Sequence, residues 1–441
     1  MRTAIVVGGG WAGLSAATRL ADRGWRVTVL EQSKRLGGRA SSFTDPRTGQ
    51  AVDNGQHLFM GCYSHTLDFL GRIGSLDRVR FQEDLRVDFV EPGGAVHSLK
   101  CPSLPAPLHL FAGVMGLDTL SSRDKLSMLR VWGAARRWSR GKGFGGVTVT
   151  EWLKGLGQSE SARTRFWEPI VIATLNESPD VAQADSLGVV LKEGFLSGRK
   201  KSRIGIAEAG LSEVVGPPSR KYIEERGGKV LTDRLVTRIS AVGDSVRGVV
   251  LRGGSTLTAD LYVSALPFFV LRNVLAPEQA RTPFFHRVKN LESSPIFSVS
   301  LWFDRAVTDL EFAGMLGTRM QWLFDKGRIL KGPPGYVSLV LSAAREHSGK
   351  SNEEIRDMAL EETRQCFPAS REAKLLAWIV QKEKNATLSP RAGHAANRLP
   401  QKTPLRNFLL CGDWTETGFP ATIESAVASG VLAAGLAGDA A

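Results

Sequence analysis

The sequence predicts an α/β fold built on a parallel sheet, and three features of its first residues carry that prediction. Thr3–Val7 is an unbroken apolar run, the pattern of a strand buried on both faces. Gly8-Gly9-Gly10 interrupts it, and the small-residue stretch 12–20 then reads as a helix that Gly24 ends. Residues 25–30 form a second apolar strand closing on Glu31, so the chain opens as a β-α-β unit.

The remaining elements follow in order. Residues 70–200 read as mostly helical, from LDFLGRIGSL through SRDKLSMLRVWGAARRW to SARTRFWEPIVIATL. Residues 229–266 alternate in short runs separated by glycine turns, which predicts a meander of strands. PIFSVSLWFDRAV is a further alternating strand. The last segment, from NFLLCGDW onward, is a strand, a turn and a long small-residue helix. Its strand resembles Thr3–Val7, so both ends of the chain are expected in one sheet.

Length and composition bound the class. A chain of 441 residues, with 42% hydrophobic and 23% charged residues, is an ordinary soluble globular protein of two domains. A net charge of +13 and a pI near 9.8 favour polyanionic partners. No zinc-ligand spacing, aromatic RNA-binding signature or basic tail accompanies that charge, so no nucleic-acid partner is expected. Cys62, Cys101, Cys366 and Cys411 form no C-x-x-C pair, which argues for a reducing compartment and against a metal site. No apolar run is long enough to span a bilayer and no signal peptide is legible, so a cytoplasmic location is expected.

Gly8-x-Gly10-x-x-Gly13 is a dinucleotide fingerprint in full context, with a strand before it and a helix after it. Gly8 permits the turn, Gly10 lets backbone approach a pyrophosphate, and Gly13 lets helix pack on strand. Trp11 and Ala12 open the helix whose N-terminus faces the anion. Glu31, 18 residues after Gly13, is placed to accept hydrogen bonds from ribose hydroxyls, with Gln32 beside it.

Gly37-Gly38-Arg39 follows, and Cys411-Gly412-Asp413-Trp414 stands after the last apolar strand. Together they resemble the two-part FAD signature of the amine oxidase and phytoene desaturase superfamily. That resemblance implies a Rossmann-like, two-dinucleotide-binding-type FAD domain interleaved with an α+β substrate domain. The FAD domain would comprise residues 1–70, 200–275 and 405–441, and the substrate domain 71–199 and 276–404. Arg39 can fork hydrogen bonds to phosphate or to the flavin side. The resemblance implies that Gly412 and Asp413 hold the ribityl or pyrophosphate region. It also implies that Gly418, Phe419, Pro420, Ala421 and Thr422 pass under the isoalloxazine, and that Val236 contacts adenine through its backbone. An Asp cap and a plain turn is the other reading of the Asp413 segment. No cysteine or histidine sits in a flavin-attachment context, so the FAD is expected to be non-covalent.

Asp53-Asn54-Gly55-Gln56-His57 narrows the resemblance. With Leu175-Asn176 and WTETGFPATIE, it is similar to the hydroxysqualene dehydroxylases of bacterial squalene synthesis. The family implies reductive loss of the hydroxyl of a long-chain isoprenoid alcohol, with an unidentified electron donor and squalene-synthesis partner enzymes. Asn54, Gly55, Gln56 and His57 would then line the flavin. His57 is the first candidate for general acid, because imidazole titrates near working pH; the alternative is a hydrogen bond to cofactor or backbone. Glu177 and Glu416 are secondary candidates. Carotenoid or phytoene desaturase or isomerase, amine oxidase, and a non-catalytic flavoprotein scaffold stay open as other readings.

A lipid substrate suggests a membrane surface. Residues 102–117 are apolar, proline-rich and too short to span a bilayer. Arg130, Arg136, Arg137, Arg140 and Lys142 mingle with Trp132 and Trp138 just after them. That composition suits an anionic membrane surface and a peripheral protein. A packed helix with a solvated basic face is the alternative.

Overall fold

The computed structural model describes residues 1–138 and 143–438. Five strands form a wholly parallel sheet in the spatial order Lys229–Leu231, Arg26–Leu30, Thr3–Val7, Leu261–Ser264, Phe408–Leu410. Both ends of the chain therefore do enter one sheet. Its alternate residues face two cores. Ala4, Val6, Val27 and Val29 pack under the helices Trp11–Asp22, Leu211–Glu224 and Ile423–Gly435. Ile5, Val7 and Leu30 face the meander Val236–Val242, Ser245–Leu251 and Thr256–Leu257. A parallel sheet covered on both faces explains why its strands read as continuous apolar runs.

A seven-stranded, mostly antiparallel sheet makes the second half, with Ser293–Phe303 near one edge between Leu375–Leu388 and Tyr336–Leu341. Odd-numbered Phe297, Val299 and Leu301 are packed with Ile355, Met358 and Cys366 of the helix Asn352–Cys366. Even-numbered Ser298, Ser300 and Trp302 point the other way, toward residues 50–57, where Trp302 and Tyr336 stack at 4.5 Å beside Val52.

Residues 70–200 depart from the expected helical region. They contain the strands Val79–Phe81, Arg86–Val90 and Val96–Lys100 between the helix Ser64–Ile73 and the helices that run from Leu108 onward. Arg86–Val90 and Val96–Lys100 complete the edge of the large sheet by pairing with each other and, through Gly314 and Met315, with Phe312–Met315. Short strands with charged residues between them, such as RVDFV, carry little periodic signal, which is why they read as helix or loop.

Candidate functional site

The glycine fingerprint folds as packing requires. Gly8 has φ +110°, and a Cβ on Gly13 would lie 2.0 Å from the Gly8 carbonyl oxygen. Gly10 differs, since a Cβ there would come no closer than 3.7 Å to any atom. Its freedom serves approach from outside rather than internal packing. The helix Trp11–Asp22 begins with no side-chain cap, so its first N–H groups face outward from Gly10. Open backbone and uncapped helix terminus together fit a pyrophosphate.

Glu31 is buried, and its two carboxylate oxygens accept from the Gly9 N–H at 2.7 Å and the Ser33 N–H at 2.8 Å. It thus ties the glycine loop to the end of the second strand, and each oxygen keeps a lone pair for a ribose hydroxyl. Gln32 is exposed beside it. Trp11 donates its indole N–H to Ala40 O at 3.0 Å. Ala12 packs against Gly430, where a Cβ would meet its carbonyl oxygen at 2.4 Å, so the first and last helices are in backbone contact.

The second glycine doublet lies directly on the first loop. Gly37 bridges Gly10, and Gly38, with φ +64°, brings the two backbones together. Arg39 then donates to Ala386 O at 2.8 Å and forms an ion pair with Asp413. Gly412, with φ +147°, donates its N–H to the Ser429 hydroxyl at 2.7 Å. Gly418 has φ +79°, and Thr422 caps the helix Ile423–Gly435 by accepting from the Ser425 N–H. Pro420 and Ala421 lie half-buried between that turn and the cap, and Val236 is buried at the start of the meander.

Two residues organise this site that sequence reasoning did not single out. Arg398 donates to the carbonyls of Asp413 (2.8 Å), Thr415 (2.9 Å) and Phe419 (2.6 Å), clamping the whole 413–419 turn from one side. Burial without a directly bonded carboxylate pushes its guanidinium down to about 10. Lys326 is 1% exposed and bonds Asp53 and Gln56, each at 2.8 Å. It reaches from the end of the strand Trp322–Asp325 in the large sheet. A lysine after an apolar run reads as a surface cap, and nothing in the sequence around either residue signals burial.

The 53–57 segment is pinned residue by residue. Asp53 also accepts from the Leu211 N–H, and Asn54 bonds Arg39 O at 3.1 Å and Gln381 at 3.2 Å. His57 Nδ1 lies 2.7 Å from Gly55 O. A carbonyl only accepts, so Nδ1 carries the proton and Nε2 presents a lone pair. Removal from water holds the imidazole below its usual range despite a bond to Gly55 that opposes this. A neutral ring with Nε2 bare suits accepting a hydrogen bond better than donating a proton.

The other acid candidates lie in different surroundings. Glu177 is buried and accepts from Arg345 at 2.8 Å and the Ser389 hydroxyl at 2.6 Å. Its neighbour Asn176, left-handed at φ 50°, ends a helix and ties it to Ser294 O and the Thr387 hydroxyl. Glu416 is exposed, and only its backbone is held, by Leu399 and Gln401. Glu177 is thus held in an ion pair and a hydrogen bond, while the Glu416 side chain lies at the surface. Among the described residues no group of three or more His, Cys, Asp or Glu could hold a metal.

A small apolar cavity is lined by Leu110, Val114, Trp132, Phe166, Leu191 and Phe195. Gly194, in the turn Leu191–Leu196, faces Met60, three residues after His57. Two expectations about the basic stretch are corrected here. Trp132 and Trp138 are buried, the first on the cavity and the second donating to Asp185, so neither is interfacial. Arg140 and Lys142 lie outside the described residues.

Fold and site together define a flavin-dependent oxidoreductase whose cofactor is FAD. The match to known families is direct: residues 11–437 fit the flavin containing amine oxidoreductase family, and the chain belongs to it. It is similar to 15-cis-phytoene desaturase of Synechococcus elongatus, 27% identical, over 98% of this chain and 95% of that one. Zeta-carotene desaturase of Synechocystis is 26% identical over 98% and 96%. Among solved structures, an oxidoreductase from Methanosarcina mazei superposes with a TM-score of 0.75 at 19% identity, covering 97% of this chain and 99% of that one. Cyclohexylamine oxidase from Brevibacterium oxydans gives 0.68 at 18%, covering 99% of each chain.

Proposed function

We propose that this protein is an FAD-dependent oxidoreductase acting on a long apolar isoprenoid. The observation that carries this reading is the similarity of the chain, over nearly its whole length, to 15-cis-phytoene and zeta-carotene desaturases. Bound FAD supplies two-electron hydride transfer. The chain's own residues do the rest. Gly10 and the uncapped helix receive the pyrophosphate, Arg39 and Asp413 join the two halves of the site, and Arg398 shapes the turn that runs beneath the ring. The Lys326–Asp53–Gln56 cluster holds His57 in place, and the cavity walls exclude water.

The relatives favour desaturation, in which one carbon of a polyene gives up a hydride to the oxidised cofactor and its neighbour gives up a proton. A second reading has its own support. The 53–57 segment and the WTETGFPATIE turn resemble hydroxysqualene dehydroxylases. In that reading the C–O bond of hydroxysqualene breaks, the hydroxyl takes up a proton and leaves as water, and a hydride reaches the carbon to give squalene. One anaerobic experiment separates them. Squalene formed from hydroxysqualene by the reduced protein supports dehydroxylation, new double bonds in phytoene with the oxidised protein support desaturation, and neither product defeats the isoprenoid reading.

The same reading extends to a peripheral position on an anionic membrane. No helix among the described residues is long and apolar enough to cross one. The helices Leu108–Gly116 and Ser122–Arg137 lie side by side, with Lys125 bonded to Met115 O and Phe111 edge-on to Trp132. Leu108, Met115, Leu126 and Leu129 are exposed on them, among exposed Arg123, Arg130, Arg136 and Arg137. Their inner faces line the cavity, so apolar ligand would pass from lipid through this pair.

A further inference from the structure

We propose that Glu383 is the proton-transfer residue of this site, giving a proton to the substrate or taking one from it as a hydride passes between substrate and FAD. The inference rests on the isoprenoid reading given above and deepens it by naming the group that completes the reaction in either direction. Dehydroxylation and desaturation each move a proton as well as a hydride. The residues whose type first suggests an acid are not placed to supply it. His57 Nε2 presents a lone pair, Glu177 is paired with Arg345, and Glu416 lies at the surface.

Glu383 lies on the edge strand Leu375–Leu388, opposite Ile296 of the strand Ser293–Phe303. Gln381 and Glu383 alternate onto one face of that strand, the face turned toward residues 53–57. Gln381 donates to Asn54 Oδ1 at 3.2 Å, and Asn54 Nδ2 lies 3.5 Å from Glu383 Oε2. The same Asn54 amide donates to Arg39 O at 3.1 Å, and the Arg39 side chain returns to the strand at Ala386 O, 2.8 Å away. Asn54 therefore joins the Glu383 carboxyl to the Arg39 loop and to the 53–57 segment at once. Glu383 is only half-buried, so its carboxyl keeps a side open to a ligand.

Its charge environment sets it apart. Asp53 is neutralised by Lys326 and Asp413 by Arg39. Glu31 and Glu424 each bind a pair of backbone N–H groups, at Gly9 and Ser33 and at His65 and Thr66. Among the described residues Glu383 makes no ion pair, and beyond Asn54 it accepts only from the Asn385 N–H at 3.2 Å. Lys382 and Lys384 flank it in the chain but alternate to the opposite face, where Lys382 sits over the Phe297 ring and Lys384 is exposed. A carboxylate locked to a cation is held in one charge state, whereas one that meets only neutral donors can gain a proton and lose it. The step balances in both directions. For the alcohol, the C–O bond breaks with its electron pair on oxygen, the oxygen takes the Glu383 proton and leaves as water, and carbon takes a hydride from reduced FAD. For the hydrocarbon, one carbon gives a hydride to oxidised FAD and its neighbour gives a proton to the Glu383 carboxylate. The electron pair of that second C–H bond becomes the double bond.

The test compares native protein with Glu383→Gln, which still accepts from Asn54 and Asn385 but carries no acidic proton. The variant should keep its Tm and FAD content and bind ligand with a Kd within about threefold of native. In anaerobic single turnovers with whichever of hydroxysqualene and phytoene the native protein converts, its flavin should change oxidation state at least about 100-fold more slowly, and Glu383→Asp should recover part of that rate. A Glu383→Gln rate within about threefold of native overturns the proposal and leaves the isoprenoid reading standing. Loss of FAD or of ligand affinity in Glu383→Gln assigns the carboxyl to binding and also overturns it. Carbodiimide labelling with an amine nucleophile, read by peptide mass spectrometry, gives a readout independent of turnover. Glu383 should be labelled in the holoprotein and protected when ligand is added. Protection by FAD alone, or labelling that ligand leaves unchanged, places the carboxyl away from substrate and overturns the assignment. A native protein that converts neither substrate overturns the isoprenoid reading and the assignment together.

Discussion

Arg39 and Asp413, 374 residues apart in the chain, form an ion pair that closes the cofactor site across its two halves. Asp413 is almost buried and Arg39 about one-third exposed, so the pair is sheltered on one side. Each member belongs to a glycine-bearing segment expected to touch FAD, and the pair sets the distance between those segments.

Replacing either partner should therefore be felt in cofactor affinity. Arg39→Ala and Asp413→Asn are each expected to weaken FAD binding by roughly tenfold to a hundredfold, the range of a charge-assisted hydrogen bond. Fluorescence of released FAD measures this. The double variant should lose less than the sum of the singles, because the two act as one unit. Additive losses would mean that they act independently.

Gly10 and Gly13 should separate folding from binding. Gly13→Ala drives a methyl onto the Gly8 carbonyl, so the variant is expected to be insoluble or strongly destabilised. Gly10→Ala meets nothing inside the protein and should fold with nearly native Tm while FAD affinity falls at least about tenfold. Thermal melts of the FAD-stripped proteins, beside FAD titrations, read both quantities. Normal FAD binding by Gly10→Ala would place the pyrophosphate elsewhere.

Lys326 and Asp53 make the deepest ion pair described, with side chains 1% and 6% exposed. Lys326→Met leaves Asp53 buried with only a backbone N–H and should cost about 3–5 kcal/mol in urea unfolding. Combining it with Asp53→Asn removes the stranded charge and should recover much of that loss. A Lys326→Met protein of native stability would show that water replaces the ammonium.

Stability should fall with acid through the histidines. Burial holds His57, His109 and His347 below the ordinary imidazole range. A lowered pKa in the folded state means that the unfolded chain binds protons first. Their contribution is therefore complete above about pH 6.5 and declines as pH drops toward the folded values. His57→Gln should flatten the drop between pH 7.5 and 5.5 by up to about one proton's slope, ~1.4 kcal/mol per pH unit. An unchanged slope in urea titrations at several pH values would show that His57 is not held neutral.

The proposed membrane face is tested by flotation with vesicles rich in anionic lipid. Native protein should float at low salt and detach as salt rises, since screening shortens the reach of the arginines. Leu108→Asp with Leu126→Asp should abolish flotation without changing FAD content. Flotation that survives both substitutions would move the contact to another surface.

The β-α-β opening, the parallel sheet and the closing helix were legible because each has a local signature. Apolar runs, a glycine break and a small-residue helix say what each segment is without reference to the rest. The 53–57 segment was legible as a place of interest through its unusual composition. Its partners were not, because Lys326 follows one strand of the other sheet and Gln381 lies in another, hundreds of residues away. Glu177 and Glu416 look alike as letters, and only packing made one a buried ion-paired carboxylate and the other an exposed one. Trp132 and Trp138 read as membrane anchors beside their arginines, yet helix packing turned both inward and left leucines on the surface.

By itself the sequence determined the cofactor class, because backbone that must approach a pyrophosphate requires glycine and a helix start at fixed spacing. The tertiary structure alone decided which charges are buried, which hydroxyls lack partners and what faces His57. Those properties depend on which distant strands the fold places side by side, and burial turns an ordinary lysine, arginine or serine into a group whose charge or hydrogen bond must be met.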